Sequence, residues 1–478
     1  MTRWLSLLAP LALVSAPALA QDETVKPTIQ NLAFAAGYKA MFTCSATFNA
    51  GKSVEQIADD ELRHTYPVYE SLFDDVGAAR IDAARRTVSV TYASGMPPRL
   101  AVHRPFLGCA ALPVGAKADA ARHLPRIDLD APLRDDAAPW PMGDRLPNAL
   151  SIGAGRKAAL DATIGQAFDG AFDGRTSAVL IVSDGQIVGE RYRDGFAQDT
   201  SQRTWSVAKS IAASVIGAAV QDELIALDEP AGLDAWSRPG DPRGAITVEH
   251  LLHMASGLNS DPAGNRTDDV YLGGGLVAQH AVSAGLDAAP GTRWRYANND
   301  TMLALRALRE RIGRERSLTY PFTALFHRIG MLDTVPETDW DGDFILSSQV
   351  WTTARDLGRL GLLYLNDGVW NGERILPVGW SDYVSAPAPV QPWGKGERPE
   401  DNDADEGYRG YGAQFWRYLD YPGVPNDTYA ALGNRGQFLI IVPSRNIVIV
   451  RRGYDYRGNY FDGPGFTAAV LDALAGPD

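Results

Sequence analysis

A run of small and apolar residues directly after Ser206-x-x-Lys209 constrains the fold of this chain more than any other feature. Residues 210–220 read SIAASVIGAAV, without one charged side chain, and this pattern predicts a helix that is buried on all sides. Residues three apart on a helix share one face, with their Cβ atoms about 5–6 Å apart. The amine of Lys209 can therefore reach the hydroxyl of Ser206.

The Ser206 and Lys209 pair has a chemical interpretation and a structural one. Burial disfavours the charged form of an ammonium and lowers its pKa, so that a lysine can act as a base near neutral pH. A serine hydroxyl needs such a base to become a good nucleophile. The alternative is a helix that Ser206 caps while Lys209 extends to solvent. Lys209 is the only one of seven lysines with a serine three positions before it.

Two further segments supply what acyl transfer needs. Tyr296-x-Asn298 lies on a loop before a helix that we expect from about Thr301, and a tyrosine there could shuttle a proton to the leaving group. The segment 433–437 (GNRGQ) precedes a late strand, and its glycines would let backbone approach a substrate closely. Together with Ser206 N–H, a backbone N–H from this segment could stabilise the developing oxyanion.

These motifs, in this order, resemble the penicillin-recognising serine hydrolases, and within them the class C β-lactamase-like branch, which also holds esterases and 6-aminohexanoate-oligomer hydrolases. The segment 247–258 (TVEHLLHMASGL) and the Pro-Gly pair at 290–291 add to the resemblance, which covers about residues 150–478. It implies that Ser206 forms an acyl-enzyme and that Lys209 and Tyr296 share the base and acid roles. It further implies that Asn298 holds the substrate or orients the lysine, and it implies no metal or organic cofactor.

The third motif departs from the family pattern. Penicillin-active members have Lys or His, then Ser or Thr, then Gly, where this chain has Asn434-Arg435-Gly436. We expect Arg435 to bind a substrate carboxylate in place of the missing lysine, Gly436 to let the substrate approach, and Gln437 N–H to serve as the second oxyanion donor. The departure favours a linear amide or ester substrate. A β-lactamase, a D-alanyl peptidase and a weakly catalytic β-lactam- or peptidoglycan-binding protein remain alternatives.

Composition and the first residues of the chain limit the expected partners and the expected location of the protein. The formal net charge of −13 argues against a nucleic-acid partner, so the expected partner is a small-molecule amide or ester. Residues 1–20 have the pattern of a secretory signal peptide, which predicts export to the periplasm or the medium. The sequence has no later run of 18 apolar residues, so we do not expect a membrane span. The sequence does not indicate an oligomeric state.

Cysteine and histidine usage predicts structural roles. In an oxidising compartment Cys44 and Cys109 could form a disulfide, the alternative being two buried free thiols. His250 and His253 lie three apart on a predicted helix, where we expect hydrogen-bonded histidines and not zinc ligands.

The order of elements predicts an α/β architecture. We predict a signal peptide at 1–20, an N-terminal unit of unknown role at 21–135, a linker at 136–149 and a β-lactamase-like hydrolase domain at 150–478. Strands early and late in this domain, with helices between, indicate an antiparallel sheet flanked by helices plus an α-rich portion. The predicted elements are strands 87–92, 176–183, 186–192, 438–443 and 447–452, and helices 31–42, 53–73, 156–168 and 466–474.

Overall fold

A computed structural model describes residues 26–130, 132, 135–146, 152–260, 267–391 and 410–477. The predicted signal peptide lies outside the described residues. Within them, the α-helices are α1 Ile29–Ala50, α2 Val54–Ile57, α3 Pro67–Glu70, α4 Ala154–Phe168, α5 Val207–Gln221, α6 Val248–Leu252, α7 Asp268–Tyr271, α8 Val277–His280, α9 Asn298–Ile312, α10 Arg314–Tyr320, α11 Ala354–Leu365, α12 Trp380–Ser385 and α13 Gly463–Ala475.

The strands form four antiparallel sheets in the described part of the chain. They are β1 Arg80–Asp82, β2 Thr87–Val90, β3 Arg99–Arg104, β4 Gly108–Ala111, β5 Thr176–Ser183, β6 Gln186–Tyr192, β7 Gln202–Arg203, β8 Val335–Pro336, β9 Val350–Thr352, β10 Val369–Trp370, β11 Glu373–Arg374, β12 Trp416–Arg417, β13 Tyr429–Gly433, β14 Gln437–Val442 and β15 Ile447–Gly453.

The main sheet joins the two ends of the hydrolase domain. Its order is β12-β13-β14-β15-β5-β6, so the last strand of the chain pairs with β5, the first strand of the domain. The predicted α/β fold, with an antiparallel sheet flanked by helices, is confirmed. Asp184 and Gly185 both have positive φ, the conformation that a two-residue hairpin turn requires.

The main sheet is buried on both faces, because its strands are apolar on both sides. In β5, Ala178, Leu180 and Val182 belong to a core shared with α5 and α11. Val179 and Ile181 belong to a second core under α4 and α13. Helix α5 is buried from Val207 to Ala219, as its small apolar residues predict.

Most of the predicted elements lie close to the observed ones. Helices 156–168 and 466–474 correspond to α4 and α13, and the strands at 176–192 match β5 and β6. The single helix predicted at 53–73 is wrong: the chain forms α2, a π-helical turn and α3 with a break between them. His64 has positive φ there, and α3 starts at Pro67, a residue type that is common at the first position of a helix.

Residues 26–130 pack α1 against the four-stranded sheet β1-β2-β3-β4. A disulfide joins Cys44 of α1 to Cys109 of β4, with a Cα–Cα distance of 6.2 Å. Both cysteines are fully buried. The bond fixes the helix to the sheet inside the core of this unit.

The segment 135–146 wraps against the hydrolase domain. Trp140 is buried and donates its indole N–H to Gly185 O at 3.1 Å. The guanidinium of Arg359 donates to Pro141 O at 2.9 Å and to Gly143 O at 3.0 Å. These bonds hold the described residues of the predicted linker on the domain surface.

Replacing both cysteines (Cys44→Ser with Cys109→Ser) should destabilise the protein. The disulfide closes a loop with a sequence separation of 65, and such a loop corresponds to about 4 kcal/mol of chain entropy in the unfolded state. Denaturant unfolding of the variant and the oxidised parent measures the difference. Equal midpoints and slopes would contradict a stabilising disulfide.

Candidate active site

Ser206 stands at the N-terminus of α5 and is reached from solvent. Between residues 201 and 219 it is the one residue that is not buried. Trp205 before it has φ 49°, in the left-handed region that a tryptophan rarely adopts. The chain therefore turns sharply between β7 and α5, and this turn presents the serine at the surface of an otherwise buried segment.

The amine of Lys209 lies beneath Ser206 with three oxygens around it. Its Nζ is 3.3 Å from Ser206 Oγ, 2.6 Å from Asn298 Oδ1 and 2.9 Å from the backbone oxygen of Ser347. Lys209 is 1% exposed, and burial lowers its pKa to about 7. A large fraction of the amine is thus neutral at neutral pH.

The neutral amine of Lys209 has a lone pair that faces the serine. A neutral amine carries two N–H bonds, and the carbonyl oxygens of Asn298 and Ser347 can only accept them. The remaining direction is that of Ser206 Oγ. In this state the serine donates its proton to Lys209, which is the geometry that a general base needs.

Tyr296 lies beside Lys209, whose Nζ is 4.8 Å from the centre of its ring, and its side chain interacts with that of Ser206. Burial raises the pKa of Tyr296, and the nearby Ser206 side chain opposes this shift. The phenol therefore keeps its proton at neutral pH. Trp294, Tyr411 and Trp416 pack around the ring.

Asn298 is the first residue of α9, and its side chain lies between two protein partners. Oδ1 accepts from Lys209, and Nδ2 donates to Thr267 Oγ1 at 3.3 Å. With 6% exposure it is buried. Of the two roles implied by the resemblance, these contacts favour orientation of the lysine over contact with a substrate.

The end of β13 approaches Ser206 more closely than β14 does. A Cβ atom added to Gly433 would lie 3.1 Å from Ser206 N, so a residue with a side chain would crowd the serine. In the described part of the chain, neither Ser206 N–H nor Asn434 N–H bonds to another backbone group. These two groups are the better candidates for an oxyanion hole.

Gln437 lies one strand further from the serine. It pairs with Gly433 across the hairpin, and its side-chain amide donates to Arg435 O at 3.2 Å and accepts from Arg452 at 2.7 Å. This register favours Asn434 N–H over the predicted Gln437 N–H.

Arg435 does not face the site, and this corrects the expectation of a substrate-binding cation. The side chain is 3% exposed. Its guanidinium donates to Thr65 Oγ1 at 3.0 Å and to the backbone oxygens of Asp60, Tyr454 and Asp455. Arg435 thus links the third-motif turn to the N-terminal unit, and the prediction that it binds a substrate carboxylate is wrong.

Gly436 serves the packing of the hairpin turn. It has φ +74°, and any side chain there would collide with the guanidinium of Arg451 and the carboxylate of Asp455. Its place beside this buried ion pair explains the glycine without a substrate contact.

Sequence reasoning missed two partners of the lysine network. Ser347 contributes a backbone oxygen, an atom that every residue carries, so no motif marks it. Thr267 contributes a hydroxyl from the loop before α7. Tyr271 in α7 hydrogen-bonds with Ser347 Oγ, which connects this loop to the same network.

The histidines that sequence analysis set aside have structural partners. His250 completes a capping box with Thr247 at the start of α6. His253 packs against Tyr383. No group of three or more His, Cys, Asp or Glu side chains suited to a metal ion occurs among the described residues. No helix there is long and apolar enough to span a bilayer.

The fold is that of the β-lactamase-fold hydrolases. A sequence profile of the β-lactamase family matches residues 166–451. The chain belongs to the β-lactamase family.

Three known proteins are similar to this chain, one in sequence and two in structure. The 6-aminohexanoate-dimer hydrolase of Paenarthrobacter ureafaciens is 26% identical over 296 residues, which cover 58% of this chain and 72% of that protein. A family VIII carboxylesterase structure has a TM-score of 0.52 at 16% identity and covers 68% of this chain and 98% of its own. A penicillin-binding protein homologue from Caulobacter crescentus has a TM-score of 0.51 at 17% identity, with coverage of 68% and 98%. At these identities the two structures share the fold.

The pH dependence of Ser206 reactivity should report the ionisation of Lys209. Because burial lowers the pKa of this amine to about 7, its base form increases with pH and labelling by a fluorophosphonate should rise to a plateau with a midpoint near that value. Lys209→Arg should reduce the plateau rate by at least about 100-fold. Lys157→Arg, an exchange at a surface lysine, is the matched control. A flat profile between about pH 5 and 9 in the parent would contradict a lysine base.

Proposed function

We propose that the protein is an exported serine hydrolase that cleaves an amide or ester bond through an acyl-serine intermediate. The observation that carries the proposal is the buried amine of Lys209, held by two acceptor oxygens and 3.3 Å from Ser206 Oγ. The hydrolase relatives support the reaction class. The signal-like residues 1–20 and the buried disulfide support export, because disulfides persist in oxidising compartments.

The first half-reaction forms the acyl-enzyme. Ser206 Oγ attacks the substrate carbonyl carbon while its proton passes to Lys209 Nζ, and the carbonyl oxygen becomes an oxyanion. The N–H groups of Ser206 and Asn434 stabilise that charge. Collapse of the tetrahedral intermediate breaks the bond to the leaving amine or alcohol.

Tyr296 supplies the proton that the leaving group needs. Its phenol is protonated at neutral pH and its side chain interacts with that of Ser206, so the proton source is near the bond that breaks. Lys209 returns the proton to Tyr296 after the leaving group departs. In the second half-reaction a water molecule attacks the acyl-serine, and the same two groups transfer its proton to Ser206 as the acid is released.

Two observations favour a linear amide or ester over a β-lactam. The third-motif hydroxyl and lysine of penicillin-active enzymes are absent, and Arg435 is engaged within the protein. A 6-aminohexanoate-dimer hydrolase is related in sequence, and a carboxylesterase shares the fold. A β-lactamase or D-alanyl peptidase is the second candidate, since a penicillin-binding protein homologue shares it too.

Replacing Ser206 by Ala should abolish covalent labelling and turnover. Intact-mass spectrometry after fluorophosphonate treatment should show one adduct on the parent and none on the variant. Ser210→Ala, in the same helix, is the control and should label like the parent. Labelling of Ser206→Ala at the parent's rate would remove this serine from the mechanism.

A comparison of substrates should assign the class of bond. Short p-nitrophenyl esters and the linear 6-aminohexanoate dimer should be hydrolysed faster than nitrocefin by one preparation, because no third-motif lysine is present to bind the β-lactam carboxylate. A clear preference for nitrocefin would favour the second candidate.

Tyr296→Phe should separate amides from activated esters. An amine leaves only with a proton, whereas p-nitrophenolate is stable without one, so amide hydrolysis should fall by about 100-fold and p-nitrophenyl ester hydrolysis by less than about 10-fold. Tyr418→Phe, a tyrosine outside the site, is the control. Equal losses on both substrates would contradict a leaving-group acid.

A further inference from the structure

Arg203 is a buried arginine three residues before Ser206, and the mechanism above does not use it. It lies in β7, which leads into the serine and pairs with β9. Strand β9 in turn directly follows the segment that contains Ser347 and Ser348. The side chain is 2% exposed, so neither solvent nor a substrate contacts it.

The guanidinium of Arg203 contacts both the segment next to the nucleophile Ser206 and the segment that bonds to its base, Lys209. Nε donates to Ser348 O at 3.3 Å, and Nη2 donates to Ser348 Oγ at 3.1 Å. Its carbon lies 3.6 Å from the ring centre of Trp205, the residue that directly precedes the serine. One side chain thus contacts the neighbour of Ser206 and the neighbour of Ser347, whose oxygen accepts from Lys209.

The N-terminal unit supplies another face for the same guanidinium. Phe42 of α1 lies with its ring centre 4.2 Å from the Arg203 carbon and 6.3 Å from the ring centre of Trp205. Arginine stacks well on aromatic faces because its planar cation meets their negative charge. Phe42 lies outside residues 166–451, the part that matches the β-lactamase family. It nevertheless contacts Arg203, which packs on Trp205 next to Ser206.

We propose that Arg203 is a positioning residue that holds Trp205 and the 347–348 segment in register, and that Phe42 of the N-terminal unit keeps it in place. This inference rests on the proposed acyl-transfer function. Loss of the planar fork would release Ser348, shift the Ser347 oxygen away from Lys209 and admit water to the amine. The amine would then lose part of the burial that disfavours its charged form.

Several titratable groups surround Arg203. Tyr38, Tyr66, Tyr271 and Glu61 interact electrostatically with the guanidinium. So does Glu337, whose pKa is raised by burial and whose carboxylate bonds to Ser45, Asn49 and Cys109 N–H of the N-terminal unit. The pKa values of Tyr38 and Tyr271 are raised by burial, whereas Lys52 and other cations hold that of Glu61 below its usual range. Around Lys209 itself the charge-bearing neighbour is Tyr296, whose pKa is raised. These shifts move the pKa values of Tyr38, Tyr271, Glu61 and Tyr296 away from neutral pH, whereas burial lowers that of Lys209 to about 7.

The test is the pH profile of fluorophosphonate labelling at Ser206 in Arg203→Lys. This variant keeps a cationic side chain but loses the planar guanidinium that donates to both Ser348 oxygens. We expect the rate at pH 7 to fall by about 10- to 100-fold and the midpoint to move upward by about one pH unit. Arg104→Lys is the matched control, because Arg104 is equally buried and also donates to backbone oxygens and one hydroxyl, that of Thr338. It should leave the midpoint unchanged.

A second variant keeps the proposal testable if Arg203→Lys does not fold. Phe42→Leu should shift the midpoint in the same direction by a smaller amount, whereas Phe48→Leu, on the same helix beside Arg86, should not. An unshifted midpoint in both Arg203→Lys and Phe42→Leu would overturn the proposal. The proposal would also be overturned if the unfolded fraction of each variant, measured by thermal unfolding, accounted for the whole loss of rate. Absence of labelling at Ser206 in the parent would instead contradict the proposed function.

Discussion

The burial of one amine is the constraint on which the rest of the site depends. Lys209 is buried in a helix of small apolar residues, and its Nζ bonds to oxygens from α9 and from the segment before β9. A charged amine in this position would be costly, so the environment favours the neutral form. The serine, the tyrosine and the asparagine each derive their role from their position around it.

The sequence was sufficient for the sheet, which follows from local patterns, and for Ser206, Tyr296 and Asn298 around Lys209, which follow from short motifs in a family order. Apolar runs around Asp184-Gly185 marked the first hairpin, and the spacing of Ser206 and Lys209 marked a shared helix face. Contacts between distant segments were out of reach. No local motif reveals that Thr65 would meet Arg435, that Gly433 would lie nearer the serine than Gln437, or that Ser347 would offer its backbone oxygen.

The N-terminal unit is bonded to the hydrolase domain at several points near the site. Asp60 O and Thr65 accept from Arg435, Tyr69 donates to Asp268, the first residue of α7, and Glu337 accepts from Ser45 and Cys109 N–H. These bonds connect residues 26–130 to the third-motif turn, to α7 and to Glu337.

Direct titration of the Lys209 amine tests the central claim most directly. With seven lysines in the chain, ¹⁵N NMR of the Nζ groups can follow each amine, and Lys209→Arg assigns the resonance of interest. We predict one amine that titrates near pH 7, the value that its burial produces. Titration of every lysine at about pH 10 or above would contradict the claim that Lys209 serves as the base.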